Sequence, residues 1–256
     1  MKVIRSKDNS TYKLAVKLAR RKFRDDTGMY LLEGVKPLRD AIETGVRIEY
    51  IFASEDAAAE GFPQEKLIIL DRKLFGELSD TPSSQGIVAM VQQQPSSQER
   101  LKEMLSASGR LVVLDRIQDP GNMGTIIRTA EAAGYAGVIL MKGCADPYSP
   151  KVVRAAAGSL FRMPVIHSVT ESALFAELKL HGRSMFVTAL KDAVDYREAG
   201  YGSNSVIVIG NEGQGVSDSF IDTADYIIKI PMAGAIESLN AAVAAGILMY
   251  ESQRTE

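Results

Sequence analysis

The sequence predicts an α/β fold whose larger part is a doubly wound parallel β-sheet with helices on both faces. After residue 100, short and continuously apolar segments such as VIVI (206–209) alternate with segments of helical periodicity. Strands buried on both faces of a parallel sheet have this composition, because helices cover each face. The first ninety residues alternate on a smaller scale, so we expect a small α/β domain in front of the larger one.

Composition limits the class of protein. The chain has 256 residues, 46% of them apolar and 24% charged, as is typical of a globular protein with a full core. It has no run of 18 apolar residues, and its first residues, MKVIRSKDNS, lack the apolar segment of a signal peptide. We therefore expect a cytoplasmic protein without a membrane partner. The composition, with one cysteine and two histidines, argues against a structural zinc site, and we expect no metal.

The first domain, residues 1–95, is predicted to begin with a basic helix over residues 1–24. One acid, Asp8, accompanies nine basic residues in this segment: Lys2, Arg5, Lys7, Lys13, Lys17, Arg20, Arg21, Lys22 and Arg24. Because the whole chain has a net charge of −2, this basic end suggests contact with a polyanion. A solvated amphipathic helix is the alternative explanation. The elements expected after it are strands at 29–34, 48–54, 66–70 and 86–94, and helices at 36–46 and 71–81.

The segment QQQPSSQ (92–98) has the composition of a linker and precedes the second domain, residues 100–256. Strands are expected at 111–115, 137–141, 184–189, 205–210 and 226–230, and helices at 123–135, 150–160, 170–180 and 237–252. In open α/β sheets, ligands bind beyond the carboxyl ends of the strands. Three of these strand ends lead into unusual loops: IQDPGNMG (117–124), GNEGQGVS (210–217) and IPMAGAIESLN (230–240).

In the first loop, Asn122 is predicted to cap the following helix. Helical spacing then places Thr125, Arg128 and Glu131 on one stripe. A surface pair between Arg128 and Glu131 explains this arginine, and so does contact with an anion. The loop alone leaves both interpretations open.

In the second loop, three glycines surround Glu212. A dinucleotide fingerprint has its glycines in the order G-x-G-x-x-G, and a carboxylate inside it would repel the phosphates. This pattern disfavours a nicotinamide-dependent dehydrogenase. Glycines here allow the backbone to approach a neutral or cationic ligand, although an ordinary glycine-rich turn is the alternative.

In the third loop, Ser238 and Asn240 lie two residues apart, where one can cap the next helix and the other cannot easily do so as well. That helix, AAVAAGILMYE (241–251), has small residues on nearly every face. It is expected to pack closely on several sides, either in the core or at a subunit interface.

Together and in this order, the three loops resemble the motifs of the SpoU/TrmH family of RNA ribose 2′-O-methyltransferases, in the SPOUT superfamily. The first family motif has an asparagine six residues before an arginine, as in DPGNMGTIIRTAEA. The second is an N-E-G loop at a strand end, as in IGNEGQGVS, and the third is a proline-containing strand end followed by S-L-N, as in IPMAGAIESLN. LLEGVKPLRDAIETGVRIEYIFAS and LSDTPSSQGIVAMV resemble the family's N-terminal RNA substrate-binding domain, and AAAGSLFRMPV resembles a stretch midway through its catalytic domain.

The resemblance implies a deep trefoil knot near the C-terminus, with S-adenosylmethionine bound in it and a homodimer formed through it. The catalytic residues that it implies are Arg128, Asn122, Glu212, Ser238 and Asn240. The cofactor contacts that it implies are Thr188, Ala189, Leu190, Gly210, Ile230, Met232 and Leu239. For RNA binding, the basic segment offers Lys13, Lys17, Arg20, Arg21, Lys22 and Arg24.

The function expected from the resemblance is S-adenosylmethionine-dependent methylation of a ribose 2′-hydroxyl, in 23S-type ribosomal RNA. A guanidinium stays protonated, so we expect Arg128 to bind the phosphate beside the target ribose rather than to act as a base. The alternatives are a transfer RNA 2′-O-methyltransferase, a methyltransferase acting on another RNA atom, and a non-catalytic RNA-binding protein. The target nucleotide is not encoded in any of these motifs.

Overall fold

The computed structural model describes residues 2–81, 83–236 and 238–254. The strands of the described residues are β1 (Lys2–Ile4), β2 (Met29–Glu33), β3 (Ile48–Ser54), β4 (Leu67–Leu70), β5 (Ile87–Gln92), β6 (Leu111–Leu114), β7 (Gly137–Met141), β8 (Val165–Val169), β9 (Met185–Thr188), β10 (Val194–Asp195), β11 (Val206–Ile209) and β12 (Tyr226–Lys229). The α-helices are α1 (Ser10–Lys17), α2 (Arg21–Thr27), α3 (Val35–Glu43), α4 (Arg72–Leu78), α5 (Gln98–Ser106), α6 (Pro120–Ala132), α7 (Pro150–Ala155), α8 (Ser159–Arg162), α9 (Glu171–Leu180), α10 (Asp218–Thr223) and α11 (Ala241–Glu251).

Two compact units divide the chain. The first contains the residues up to Gln93 together with Tyr148–Phe161, and the second contains Gln94–Pro147 and the residues from Arg162 onward. The segment Tyr148–Phe161 therefore packs with the first unit, although the sequence assigned it to the second domain. Within the first unit, the ring of Tyr148 lies 4.9 Å from the ring of Tyr30 on β2, and Arg154 on α7 pairs with Asp80.

The first unit has a sheet in the order β1-β4-β3-β5-β2, in which β5 pairs antiparallel with β2 and β3 and the remaining pairs are parallel. The single basic helix predicted over residues 1–24 is wrong. The first residues of this segment form β1, in which Ile4 is buried in the core and pairs with Leu70 of β4. The rest forms α1 and α2, and Asn9 caps α1 by accepting hydrogen bonds from the backbone N–H groups of Thr11 and Tyr12.

The second unit has a parallel sheet in the order β10-β12-β9-β11-β6-β7-β8, built from the described strands. The predicted α/β class with a parallel sheet is confirmed. Strand β6 lies between β11 and β7, and all four of its residues are buried, as the continuous apolar run LVVL predicts.

One helix predicted for the second domain is interrupted in the structure. The helix expected at 150–160 is divided into α7 and α8, because Ala157 and Gly158 have φ angles of 48° and 86° and cannot continue a right-handed helix. Elements of the second domain that the sequence analysis did not predict are β8, β10, α5 and α10. Polar residues such as His167 and Ser168 interrupt the apolar run of β8, and α10 is too short for a clear helical period.

Candidate active site

The three unusual loops lie at the carboxyl edge of the second unit's sheet. They follow β6, β11 and β12, and all pairs of strands in this sheet are parallel, so the three strand ends share one edge. Strand β6 is hydrogen-bonded to β11, while β9 separates β11 from β12. The sheet order therefore brings together segments that lie far apart in the sequence, at the edge where open α/β sheets bind ligands.

Asn122 lies in the first turn of α6, and the prediction that it caps this helix is wrong. Asp119 is the cap, and its Oδ1 accepts a hydrogen bond from the backbone N–H of Asn122 at 2.7 Å. Pro120 occupies the first helical position, where a missing N–H costs nothing. Because Asp119 satisfies the helix end, the side-chain amide of Asn122 is left for other contacts.

That amide contacts both of the other loops. Nδ2 of Asn122 donates to Oε1 of Glu212 at 2.5 Å, and Oδ1 of Asn122 accepts from Nδ2 of Asn240 at 2.9 Å. Asn240 is also the cap of α11, since its Oδ1 accepts from the N–H groups of Ala242 and Val243. Three of the five predicted catalytic residues thus form one hydrogen-bonded cluster, which we call the amide–carboxylate cluster (Asn122, Glu212 and Asn240).

Glu212 is presented by a tight loop. Asn211 and Gly215 pair through both of their backbone groups, with N–O distances of 3.0 and 2.9 Å. At the base of the loop, a β-carbon on Gly210 would lie 2.3 Å from backbone atoms of Gly215 and Val216. Only glycine fits at position 210, so this glycine is required for backbone packing.

Arg128 is exposed on α6, and no hydrogen bond or ion pair of its guanidinium occurs within the described residues. The surface pair with Glu131 that its sequence spacing allowed is not formed. Glu131 instead forms an ion pair with Arg162. The positive charge of Arg128 is therefore available to an anion from solution.

Ser238 is exposed and is not hydrogen-bonded to the amide–carboxylate cluster in the structure as described. Its neighbour Glu237, which belongs to the same loop, lies outside the described residues. The structure therefore brings Asn122, Glu212 and Asn240 together and leaves Ser238 without such a contact.

Most residues predicted to hold the cofactor lie at or just after the ends of three neighbouring strands, β12, β9 and β11, and Leu239 lies directly before the cap of α11. Thr188 Oγ1 donates to the carbonyl of Val208 at 3.0 Å, and the N–H of Ala189 donates to the carbonyl of Ile228 at 3.1 Å. Leu190 is 70% exposed, and the side chains of three further predicted residues are half-buried, namely Ile230, Met232 and Leu239. An apolar wall with a closely approaching backbone fits an adenine ring and the aliphatic part of a methionine chain, so these residues suit S-adenosylmethionine.

The residues predicted to contact RNA differ in their exposure to solvent and in their ion pairs. The prediction that Arg24 contacts RNA is wrong, because this residue is buried. Its guanidinium donates a hydrogen bond to the carbonyl of Leu18 at 2.7 Å. The exposed cations among the predicted residues are Lys13, Lys17, Arg20, Arg21 and Lys22. Two of them have acidic partners, since Lys13 pairs with Asp8 and Arg21 with Asp25.

Sequence reasoning missed two polar residues beside the site. Asp119 was signalled by the pair Asp-Pro at the helix start, which is a common N-terminal pattern. Asp115, directly after β6, is only 2% exposed, and its Oδ2 accepts from the N–H and Oγ of Ser217 at 2.8 and 2.5 Å. A carboxylate placed directly after a buried strand was the signal for this residue.

A cavity of about 480 Å³ lies at the amino end of β9, away from the three loops. Two polar side chains that line it are hydrogen-bonded to the protein's own backbone. The guanidinium of Arg183 donates to the carbonyls of Leu105 and Gly109, and Asp225 accepts from the N–H of Met185.

Among the described residues, no group of three or more His, Cys, Asp or Glu side chains could hold a metal ion. No described helix is long and apolar enough to cross a membrane.

Comparison with known proteins gives two family matches. Residues 109–250 match the SpoU rRNA Methylase family, and residues 9–89 match the MRM3-like substrate binding domain. The chain is 32% identical to the 23S rRNA (guanosine(2553)-2′-O)-methyltransferase RlmP of Bacillus subtilis, over 98% of both chains.

Solved structures resemble the chain over nearly its whole length. An rRNA methyltransferase from Sinorhizobium meliloti, crystallised with S-adenosylmethionine (AdoMet), superposes with a TM-score of 0.88 at 31% identity, covering 99% of this chain and 97% of that one. The SpoU methyltransferase AviRb from Streptomyces viridochromogenes superposes with a TM-score of 0.85 at 28% identity, covering 96% and 97%.

Proposed function

Because the chain belongs to the SpoU rRNA methylase family, it is an S-adenosylmethionine-dependent RNA 2′-O-methyltransferase, and we propose that its substrate is 23S-type ribosomal RNA. The amide–carboxylate cluster supports the activity most directly, since it joins the three family motifs in one place. The relative that supports the substrate is a 23S rRNA enzyme matched along 98% of both chains.

The cofactor supplies a methyl group already activated on a sulfonium, so the chain has to orient the ribose hydroxyl and manage its proton. Positioning a bound hydroxyl in line with the methyl carbon can contribute about 7–11 kcal/mol at most. In our proposal, the amide–carboxylate cluster forms the surface that positions the ribose. Glu212 and Asn122 are exposed or half-buried, so they remain accessible to a polar substrate.

Arg128 has the electrostatic role in this proposal. It is exposed, without a described partner, and lies six residues beyond Asn122 on α6. A guanidinium is already protonated and cannot take up the hydroxyl proton, but it can bind an RNA phosphate in a bidentate manner. A bound Arg128 would also stabilise negative charge that develops on the 2′-oxygen as the proton leaves to phosphate or water.

For the cofactor, we assign the backbone and apolar side chains at the ends of β9, β11 and β12. Gly210 leaves no room for a side chain at the loop base, and Leu190 offers an exposed apolar surface. Ser238 is assigned to the active-site surface that contacts the ribose, and this assignment rests on the resemblance alone. The trefoil knot expected around this pocket stays a prediction.

For RNA binding, we assign the exposed cations of α1 and α2 and Arg20, which directly precedes α2. Arg20 and Lys22 are exposed, and no acidic partner is described for either. Contacts of this kind with the phosphate backbone are sequence-independent and weaken steeply with salt. An enzyme that acts on ribosomal RNA works where ribosomes are assembled, so we place this one in the cytoplasm.

We also propose that the protein forms a homodimer and that α11 contacts the second copy of the chain. Val243, Ile247 and Tyr250 follow helical spacing on one side of this helix, and Val243 and Tyr250 are 52% and 54% exposed. A helix that exposes apolar residues along one side is typical of a subunit interface. The remaining small residues allow α11 to pack on α6, where a β-carbon on Gly246 would lie 3.7 Å from Thr129.

The substrate is tested by offering the purified protein tritiated S-adenosylmethionine with deproteinised large-subunit ribosomal RNA and, separately, with bulk transfer RNA. We expect label in the ribosomal RNA. Label in transfer RNA alone would keep the reaction and overturn the substrate. If the cofactor binds but neither RNA is labelled, precursor particles of the large subunit are the next acceptor, and failure there as well would overturn the proposal.

A further inference from the structure

Arg116 has a backbone conformation that its residue type disfavours. It lies between β6 and α6 and has a φ of 55°, in the left-handed region where glycine and asparagine are common. Such a conformation persists only where the surrounding contacts hold it. Arg116 was assigned no role in the sequence motifs.

The contacts of Arg116 reach both ends of the loop that carries Glu212. At the start of the loop, the carbonyl of Arg116 accepts from Nδ2 of Asn211 at 3.0 Å. At its end, the guanidinium donates to Oε1 of Gln214 at 3.3 Å and to the carbonyl of Gly215 at 3.4 Å. The left-handed backbone sends the carbonyl to one end of the loop and the side chain to the other.

A buried carboxylate anchors the same guanidinium. Nε of Arg116 donates to Asp115 at 3.3 Å, and Asp115 also accepts from the N–H and Oγ of Ser217. Ser217 is the residue before α10, so Asp115 fixes the chain just beyond the loop. Arg116 and Asp115 together connect the end of β6 to both sides of the Glu212 loop.

The loop transmits this constraint to Glu212. Besides the paired backbones of Asn211 and Gly215, Oδ1 of Asn211 accepts from the N–H groups of Gly213 and Gln214 at 2.9 and 3.1 Å. Glu212 is the first of the three residues enclosed by this pair and is exposed. Its contact with Asn122 therefore depends on how the two ends of the loop are held.

We infer that Arg116 is a positioning residue for methyl transfer: it holds the loop 211–215 so that Glu212 meets Asn122 in the amide–carboxylate cluster. This role rests on the proposed function of that cluster. It goes beyond it by adding a residue that touches neither substrate nor cofactor and acts through Glu212.

The test uses Arg116→Asn in the full-length protein, since asparagine tolerates a positive φ but lacks the guanidinium. Arg116→Lys keeps the charge without the planar fork, and Arg116→Gly is the second variant if Arg116→Asn folds poorly. The matched control is Arg100→Asn, because Arg100 pairs with Glu103 on α5, away from the loops. The readouts are kcat and the KM for ribosomal RNA at saturating tritiated S-adenosylmethionine, with Tm as a check of folding.

We expect Arg116→Asn to lower kcat on the order of 10- to 100-fold, as displacement of a catalytic group by about 1 Å does, with a smaller change in KM. Arg116→Lys should fall between this variant and wild type, and Arg100→Asn should match wild type. In a Glu212→Gln background, Arg116→Asn should cause little further loss, because both changes disable the same contact.

Two results would overturn the inference. One is a wild-type kcat in folded Arg116→Asn and Arg116→Gly, and the other is a loss that multiplies fully with that of Glu212→Gln. An inactive wild-type enzyme would instead count against the proposed function, which keeps the two claims separable.

Discussion

Nδ2 of Asn122 lies 2.5 Å from Oε1 of Glu212, although 90 residues separate them in the chain. The contact exists because β6 and β11 are adjacent in the sheet, so the loops that follow them emerge side by side. Asn122 is free to make it because Asp119 caps α6. Catalysis in our account depends on this contact, and its chemistry can be altered without changing the shape of the side chains.

Asn122→Asp should disrupt the cluster by charge alone. The new carboxylate oxygen would face Glu212, and two neighbouring carboxylates cannot both ionise freely, so the pKa of one of them should rise. We expect kcat near pH 8 to fall on the order of 10- to 100-fold. Activity relative to wild type should recover as the pH is lowered toward 6, because protonation of one carboxyl restores a donor.

The double variant Asn122→Asp, Glu212→Gln restores one amide donor and one carboxylate in exchanged positions. It should recover part of the activity that each single variant loses, measured under single-turnover conditions. A double variant that is no better than the worse single variant would show that the hydrogen bond is not the feature that matters.

Arg128→Lys should impair activity without affecting the fold. Because Arg128 is exposed and has no described partner, the free energy of unfolding should change by less than about 0.5 kcal/mol. A lysine ammonium is a point charge and cannot bind a phosphate with two parallel hydrogen bonds, so kcat/KM should fall about tenfold or more. Arg100→Lys serves as the control. Near-normal kcat/KM in Arg128→Lys would remove bidentate phosphate binding from the mechanism.

Gly210→Ala should destabilise the second unit and weaken cofactor binding. Its β-carbon would collide with backbone atoms of Gly215 and Val216, and backbone cannot move aside as a flexible side chain can. We expect a loss of about 1–3 kcal/mol in the free energy of unfolding. Gly213→Ala is the matched control in the same loop, because its β-carbon would meet only Oδ1 of Asn211 at 3.6 Å. Urea denaturation and calorimetric titration with S-adenosylmethionine measure the two effects, and equal behaviour of both variants would contradict the packing argument.

Glu33 should make the stability of the first unit depend on pH. Burial on its own would raise the pKa of Glu33, but hydrogen bonds from Ser79, Thr81, Ser84 and the N–H of Asp80 outweigh it, and the pKa lies below its ordinary value of 4.5. A lowered pKa in the folded state means stabilisation that is present above pH 4.5 and is lost as the pH falls through the folded-state value.

Glu33→Gln should therefore cost about 1–2 kcal/mol near pH 7, with a difference from wild type that shrinks below about pH 4. Chemical denaturation between pH 7 and pH 3 measures this, with the exposed Glu60→Gln as control. A constant difference across that range would mean that the hydrogen bonds do not favour the ionised carboxylate.

Local patterns in the sequence were sufficient for the buried strands and for the class of fold. The residues of β6 and β7 are apolar without interruption, and each strand appears where that run predicts it. Strands with mixed composition, such as β1 and β8, were missed because their pairing partners, not their own periodicity, stabilise them.

The site residues could be listed from the motifs, but their contacts could not. Asn122 was assigned to the helix cap because the apolar period begins at Met123, although Pro120 already marks the true first position of the helix. Its contacts with Glu212 and Asn240 depend on strand order, which local patterns do not specify. Arg24 lies within a basic run in the sequence, yet tertiary packing turns it inward toward Leu18.

Ribose methylation itself can be tested most directly by alkaline hydrolysis of RNA that the wild-type enzyme has labelled with tritiated S-adenosylmethionine. Alkali cleaves RNA through attack by the 2′-oxygen on the neighbouring phosphate, so a methylated 2′-oxygen blocks cleavage at that position. We predict that the label from ribosomal RNA is recovered in alkali-stable dinucleotides. Label recovered in mononucleotides would place the methyl group on a base and contradict the account.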